Sequence, residues 1–177
     1  GLYRLEKPSR PGKKHVNLIG SGTILMQAIK AAEMLKDDFS ITSDIWSATS
    51  FNELARDCQD TARFNRLNPF AEQRTPFIAE QLAGAKGPFI AATDYMKTFA
   101  EQVRACVPGR YTVLGTDGFG RSDSRVNLRR FFEVDANHIA AAAAVDLWRD
   151  GNLSDKDLEK ALKKYDIYGG KPNPRLV

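Results

Sequence analysis

The sequence predicts an α/β domain in which helices pack against a mostly parallel sheet. Short apolar segments typical of buried strands alternate with longer segments whose apolar residues recur at helical spacing. Several of the strand-like segments run directly into glycine or hydroxyl residues, as strand-to-helix turns do. Because a helix carries the chain back between consecutive strands, this alternation favours parallel pairing and a layered fold.

The strands are predicted from short runs rich in branched and aromatic residues, and they cover 15–19, 44–49, 88–93 and 111–115. Helices are predicted over 24–35, 50–67, 77–82, 95–107, 128–132, 138–149 and 154–165. Ser50 and Glu53 have capping-box spacing, and Asp135 and Ser154 are placed to cap the helices that follow them.

The composition fits one domain that is not inserted in a membrane. The chain has 177 residues, with 42% hydrophobic and 27% charged side chains, and no apolar run approaches the roughly 20 residues that span a bilayer. Residues 1–14 are polar, basic and broken by prolines, so they are predicted as a linker entering a domain at 15–177. The absence of an initiator Met at Gly1 suggests a piece of a longer chain, or processing.

Charge and cysteine content favour no nucleic-acid or metal site. The net charge of +4 comes from scattered basic residues, and only Arg125, Arg129 and Arg130 with two phenylalanines faintly resemble a nucleic-acid footprint. A solvated surface explains them better. Cys58 and Cys106 match neither a zinc pattern nor a disulfide framework, so we expect two buried free thiols in a reducing compartment.

Two glycine turns partly resemble nucleotide-binding loops. Gly20-Ser-Gly22 follows a strand, but Leu25 stands where a dinucleotide fingerprint has its third glycine. Gly118-Phe-Gly120 lacks the lysine and hydroxyl of a phosphate-binding loop. Both are therefore interpreted as tight turns, the second holding out Phe119 as an anchor.

No catalytic constellation is evident from residue spacing. His15 and His138 have no base, nucleophile or metal ligand at a convincing separation. Glu53 and Arg56 are interpreted as a helix-surface ion pair. Catalytic, cofactor-binding and metal-binding residues are accordingly predicted to be absent from this chain.

Several stretches taken together resemble one known family, the C-terminal region of homodimeric-type pyruvate dehydrogenase. The resemblance covers nearly the whole chain and is carried by GSGTIL (20–25), SATSFNELARD (47–57), TPFIAEQL (75–82), ATDYMK (92–97), LGTDGFGRSDSR (114–125) and NPRL (173–176). More loosely, the chain is similar to the C-terminal domain of transketolases. That likeness implies a three-layer fold whose five-stranded sheet has one antiparallel strand, the fifth strand being expected near 37–42 or at 131–134.

The resemblance implies that chemistry resides elsewhere in a longer protein. The whole enzyme would decarboxylate pyruvate and transfer acetyl to a lipoyl group. It would use thiamine diphosphate and Mg²⁺, held by a Gly-Asp-Gly…Asn motif that this sequence lacks. The implied partners are the remaining domains, a second copy in a homodimer and the lipoyl-carrying acetyltransferase, without nucleic acid or membrane. The implied location is the cytoplasm of a bacterium or a eukaryotic organelle.

Within that family the implied role of this domain is structural and extends the dimer interface. Large apolar side chains beside arginines are typical of interface centres. The candidate interface residues are Tyr95, Phe119, Arg121, Arg125, Phe131, Phe132 and Trp148. An alternative remains open: a regulatory module that binds a small anion at the 117–124 loop through Gly118, Gly120, Ser122 and Ser124.

Overall fold

A five-stranded sheet forms the centre of the computed structural model, which describes residues 1–8 and 12–177. Its strands are β1 (Leu2–Glu6), β2 (His15–Gly20), β3 (Thr42–Ala48), β4 (Phe89–Ala92) and β5 (Tyr111–Leu114), in the order β1-β3-β2-β4-β5. β1 pairs antiparallel with β3, and the other pairings are parallel. The predicted fold class is thereby confirmed.

Helices cover both faces of the sheet. They are α1 (Leu25–Phe39), α2 (Phe51–Leu67), α3 (Phe77–Gln81), α4 (Lys97–Glu101), α5 (Arg125–Phe131), α6 (Ala136–Arg149) and α7 (Asp155–Lys164). α1, α6 and α7 share one apolar core with Val16 and Leu18 of β2. α2, α3 and α4 share a second core with Ile19 and Trp46 on the opposite face.

Side-chain caps fix the starts of α2, α6 and α7 as the sequence predicts. Ser50, Asp135 and Ser154 each accept a hydrogen bond from the backbone N–H three residues later, at 3.2, 2.9 and 3.1 Å. Each bond satisfies a donor that has no partner within its helix. The helix expected over 95–107 is shorter: α4 covers only Lys97–Glu101, and a separate 3₁₀ turn follows at Arg104–Cys106.

The fifth strand lies at Leu2–Glu6, so both expected positions for it are wrong. Leu2 is buried opposite Ala48, while the Arg4 guanidinium lies 4.7 Å from the Trp46 ring centre. Part of the segment predicted as a linker is therefore an edge strand. Only Leu2 of this strand is buried, so the strand lacks the run of buried residues found in the central strands. Residues 9–11 of that segment lie outside the part that the structure describes.

The two cysteines are not free thiols, contrary to expectation. Cys58 of α2 and Cys106 of the 3₁₀ turn at Arg104–Cys106 are joined in a disulfide, with their Cα atoms 6.5 Å apart. That separation lies within the range for disulfides. The sequence gives no sign of the pairing because the residues are 48 positions apart and meet only when both elements pack on the same face of the sheet.

One buried amide links the central strand to both of its neighbours. Asn17 of β2 is fully buried; its Oδ1 accepts from Trp46 Nε1 at 3.1 Å, and its Nδ2 donates to the Lys86 carbonyl oxygen at 2.9 Å. Trp46 belongs to β3, and Lys86 lies just before β4. The Asn17 amide and the Trp46 indole are both buried, so these bonds give their polar atoms the partners that water cannot supply.

Replacing this amide should destabilise the fold markedly. We expect Asn17→Ala to lower the free energy of unfolding by roughly 2–4 kcal/mol, because Trp46 Nε1 loses its partner and a cavity remains. Asn52→Ala, at an exposed position in the first turn of α2, serves as the matched control and should change stability by less than about 0.5 kcal/mol. Urea unfolding measures both, and equal effects would contradict the assigned role of Asn17.

A second buried polar group, His15, makes stability depend on pH. Burial lowers the pKa of His15 below its ordinary value of 6.5; nearby Asp44 opposes this shift and Arg4 adds to it. As the pH falls below 6.5, His15 is therefore protonated to a greater extent in the unfolded chain than in the folded chain. The contribution of His15 to the free energy of unfolding is complete above that pH and declines as pH falls through it.

The variant His15→Gln isolates this contribution. Between about pH 7.5 and about pH 5.5, wild type should lose more stability than the variant, because glutamine takes up no proton in the unfolded state. Above about pH 7.5 the two dependences should run parallel. Chemical denaturation across this range provides the measurement, and parallel slopes throughout would show that His15 titrates alike in both states.

Candidate interface at the carboxyl edge of the sheet

The loops that follow the parallel strands meet at one edge of the sheet, here called the carboxyl edge. They are Ser21–Thr23, Thr49–Ser50, Thr93–Met96 and Gly115–Ser124. β3 and β4 lie on opposite sides of β2, so the chain reverses its direction of winding here, and a crevice opens where ligands or partners commonly bind. One cleft of about 280 Å³ lies between Ser21, Tyr95, Phe99 and the start of α2.

Hydrogen bonds hold the loop after β4 against the loop after β5. Thr116 N–H donates to the Tyr95 carbonyl oxygen at 2.8 Å, and Lys97 N–H donates to Asp117 Oδ1 at 3.0 Å. A Cβ atom at Gly115 would approach the Tyr95 carbonyl oxygen to 2.8 Å, so glycine is needed for this contact. The Tyr95 ring is therefore presented from a fixed backbone. The Phe99 ring packs edge-on against it, with the two ring centres 5.8 Å apart.

The C-terminal tail holds the turn that presents Phe119. Gly118 has a φ of 101°, a conformation that favours glycine, and a Cβ there would meet the Pro174 carbonyl oxygen at 2.8 Å. Phe119 remains 84% exposed beyond this contact. On the far side of the loop, the Arg121 guanidinium lies 4.5 Å from the ring centre of Phe131. The expected tight turn with an outward aromatic is what the structure contains.

Several exposed apolar side chains lie along this edge. We define the carboxyl-edge surface by the large apolar residues in or next to these loops that remain more than a third exposed: Met26, Tyr95, Met96, Phe99, Phe119 and Val126. Arg121 and Arg125 are exposed beside them. Apolar groups flanked by arginines match the composition of protein interfaces.

The structure divides the candidate interface residues into distinct groups. Tyr95, Phe119, Arg121 and Arg125 lie on or beside the carboxyl-edge surface, and Phe131 is half-buried beneath Arg121. Phe132 is only 8% exposed and packs in the core, so its expected role as an exposed anchor is corrected. Helical spacing could not distinguish it from its neighbour Phe131.

Trp148 also lies away from this surface. It sits near the end of α6, and its Nε1 donates to Asp155 Oδ1 at 2.6 Å. The end of α6 is tied to the start of β5 by the Arg110–Asp150 ion pair at 2.7 Å. Because that end of β5 is opposite the carboxyl edge, Trp148 and Phe119 cannot belong to one compact patch.

The candidate anion loop is occupied largely by the chain's own groups. Ser124 Oγ caps α5 by accepting from Asn127 N–H at 3.3 Å. Asp123 Oδ1 accepts from Ser124 N–H and from Asn127 Nδ2, and these hydrogen bonds, the Asn127 bond above all, lower the pKa of Asp123. Gly118 lies against the tail, while Gly120 and Ser122 are exposed. A carboxylate thus already fills the position that an external anion would take.

The described residues do not fit the diphosphate and Mg²⁺ of the implied cofactor. Asp117 and Asp150 are the carboxylates that precede a glycine, and they accept from Lys97 N–H and Arg110 respectively, at opposite ends of β5. In the part of the chain that the structure describes, no three His, Cys, Asp or Glu side chains are grouped to hold a metal ion. Nor is any described helix both long and apolar enough to cross a bilayer.

Neither histidine contributes to the carboxyl-edge surface. His15 begins β2 at the opposite, amino edge of the sheet. His138 lies in the first turn of α6, where its Nδ1 is 2.6 Å from Asp135 Oδ1. Burial alone would raise the pKa of Asp135, but hydrogen bonds from the ring and backbone N–H of His138 outweigh it and lower the pKa. Both histidines therefore have local structural partners.

Residue spacing missed several members of the carboxyl-edge surface. Met96 and Phe99 lie in the helix predicted over 95–107, and the sequence analysis predicts no interface role for them or for Met26 and Val126. The available signal was their position immediately after a strand or in the first turn of the helix that follows it, because those residues lie at the carboxyl edge in any parallel sheet.

Comparisons with known proteins agree with this architecture. Residues 1–135 match the family model described as the transketolase-like TK C-terminal domain. Among solved structures, transketolase from Leishmania mexicana superposes with a TM-score of 0.55 at 15% identity, over 89% of this chain and 20% of that one. Transketolase from Campylobacter jejuni gives 0.52 at 15% identity, over 80% and 18%. At this identity the likeness establishes the fold.

Sequence relatives are much closer. The chain is 50% identical to the pyruvate dehydrogenase E1 component of Escherichia coli over 178 aligned positions, which cover 100% of this chain and 20% of the relative. It is 49% identical to that of Pseudomonas aeruginosa, over 98% of this chain and 20% of the relative. The chain thus spans about a fifth of the length of these relatives, whose C-terminal region it matches. It belongs to the family of transketolase-like C-terminal domains and is homologous to that region of pyruvate dehydrogenase E1 components.

Proposed function

We propose that this chain is the structural and dimer-interface domain of a pyruvate dehydrogenase E1 component. The whole protein would decarboxylate pyruvate with thiamine diphosphate and Mg²⁺ and transfer the acetyl group to a lipoyl group. This domain would take no part in the chemical steps. The observation that carries the proposal is the carboxyl-edge surface, an exposed apolar patch on a rigid scaffold.

Rigidity supports an interface role for this surface. Tyr95 and Phe119 project from backbones held by the Thr116 and Asp117 hydrogen bonds and by the tail at Pro174. An aromatic group that is already ordered loses little conformational entropy when a partner covers it. Apolar side chains exposed together on a soluble domain commonly mark an interaction site.

The path of the chain points to the same edge. The Gly1 carbonyl oxygen accepts from Thr49 N–H at 2.8 Å, so residue 1 lies at the carboxyl edge. Any chain that precedes residue 1 in the whole protein would therefore enter beside the carboxyl-edge surface. We infer that the remaining domains and the second copy of the homodimer cover it, while the lipoyl-carrying acetyltransferase meets the assembled enzyme.

The proposed dimer contact predicts self-association of the isolated 177-residue chain. Sedimentation velocity should show a dimer at concentrations of about 100 μM and above. Pairing removes the exposed apolar side chains from water, which favours association. The double variant Tyr95→Ser, Phe119→Ser should raise the dimer dissociation constant by about tenfold or more.

Phe70→Ser provides the matched control for this experiment. Phe70 is fully exposed in the loop after α2 and lies outside the carboxyl-edge surface. Its replacement removes one fully exposed phenylalanine and should leave the dissociation constant unchanged. A strictly monomeric wild-type chain, or an equal effect of the two sets of substitutions, would contradict the proposed interface.

The assignment of cofactor binding to other domains gives a second prediction. Calorimetric titration of the 177-residue chain with thiamine diphosphate and Mg²⁺ should give no saturable heat, because Asp117 and Asp150 are far apart and already paired. Incubation with pyruvate under the same conditions should release no CO₂. Micromolar binding by the isolated chain would overturn this part of the proposal.

A further inference from the structure

A charged cavity lies at the amino edge of the sheet, away from the carboxyl-edge surface. Its volume is about 520 Å³, within the range of small-ligand sites. Its walls come from β1, the segment after it, the starts of β2 and β3, and the loop before β4. The lining residues are Arg4, Lys7, Pro8, His15, Asp44 and Ala83–Lys86.

The floor of this amino-edge cavity presents two buried hydrogen-bond acceptors. The Thr42 hydroxyl donates to the Lys14 carbonyl oxygen at 3.2 Å, so it accepts from His15 Nδ1 at 2.7 Å. With the Thr42 hydroxyl turned to the Lys14 carbonyl oxygen, we assign the proton of neutral His15 to Nδ1, which leaves Nε2 as an acceptor. Nε2 faces Asp44 Oδ1 at 3.6 Å, too far for a direct hydrogen bond. A hydroxyl group entering the cavity could donate to either atom.

The rim carries more positive than negative charge. Asp44 is paired with Arg4 at 3.3 Å, whereas Lys7 and Lys86 form no ion pair with any residue that the structure describes. Among the described residues that line the cavity, Arg4, Lys7 and Lys86 outnumber the one carboxylate, Asp44. A ligand with two negative charges would neutralise this excess and gain charge-assisted hydrogen bonds.

The wall that carries Lys86 is held in place. Its carbonyl oxygen accepts from the buried Asn17 side chain at 2.9 Å. Gly87 follows with a φ of 80°, and a Cβ there would collide with the His15 carbonyl oxygen. Lys86 thus projects from a fixed backbone on this side of the amino-edge cavity.

We propose that the amino-edge cavity binds a small organic dianion that carries a hydroxyl group. Two phosphate or carboxylate charges pair with Lys7, Lys86 and the free donors of Arg4. The hydroxyl donates to His15 Nε2 or Asp44. This site goes beyond the proposed interface role and does not depend on it, since it uses the opposite edge of the sheet.

Three probes separate the components of this recognition by calorimetric titration of the 177-residue chain at low ionic strength. Malate and succinate differ by one hydroxyl group, and glycerol 3-phosphate replaces the two carboxylates with a phosphate. Malate should bind several-fold more tightly than succinate because the buried acceptors gain a donor. A preference for glycerol 3-phosphate over malate identifies phosphate as the charged group, and the reverse preference identifies carboxylate; both support the site.

Charge variants test whether binding occurs at this cavity. Lys7→Gln and Lys86→Gln should each weaken binding of the preferred probe about tenfold. Lys30→Gln, at an exposed position on α1 outside the cavity lining, removes the same charge and should have no effect. The double variant His15→Ala, Asp44→Ala removes both proposed acceptors and should abolish the preference for malate over succinate, with circular dichroism confirming that each variant is folded.

The outcomes that overturn the proposal are distinct. No saturable binding of any probe at up to roughly 20 mM, well above a weak metabolite affinity, excludes the site. Equal weakening by Lys30→Gln shows nonspecific charge attraction instead. Equal affinities for malate and succinate exclude the hydroxyl contact. None of these results depends on whether the carboxyl-edge surface forms a dimer.

Discussion

The two hydrogen bonds of the buried Asn17 side chain determine how the central strand meets its neighbours. One bond goes to Trp46 in β3 and the other to Lys86 before β4, so a single amide spans three adjacent strands of the sheet. Because Lys86 lines the amino-edge cavity, the bond to its carbonyl oxygen also holds one wall of that cavity. An apolar side chain at this position could pack, but it could not satisfy either partner.

The two edges of this sheet differ in chemistry although the same strands build both. The carboxyl edge exposes Tyr95 and Phe119 beside arginines, which suits a large surface covered by protein. The amino edge encloses His15 and Asp44 beneath a cationic rim, which suits a small polar molecule. Since the strands separate the two edges, one domain can pack within an assembly and keep a pocket open elsewhere.

Local signals in the sequence were sufficient for most elements, and long-range contacts explain the failures. The four predicted strands and the caps at Ser50, Asp135 and Ser154 rest on short patterns, and each is present in the structure. The edge strand at Leu2–Glu6 escaped prediction because only Leu2 is buried, and the pairing of Cys58 with Cys106 because packing alone brings them together. The partial burial of Phe131 and the nearly complete burial of Phe132 are likewise decided by tertiary packing.

The loop LGTDGFGRSDS shows how a glycine-rich turn can be filled by groups of its own chain. Its glycines remove Cβ atoms where the backbone meets other chain segments: Gly115 against Tyr95, and Gly118 against Pro174. Its carboxylates accept backbone N–H groups that a phosphate would otherwise need. The loop is therefore filled from within and held on two sides, leaving Phe119 as its exposed apolar group. A turn stabilised in this way can present an aromatic side chain to a partner with little loss of entropy on binding.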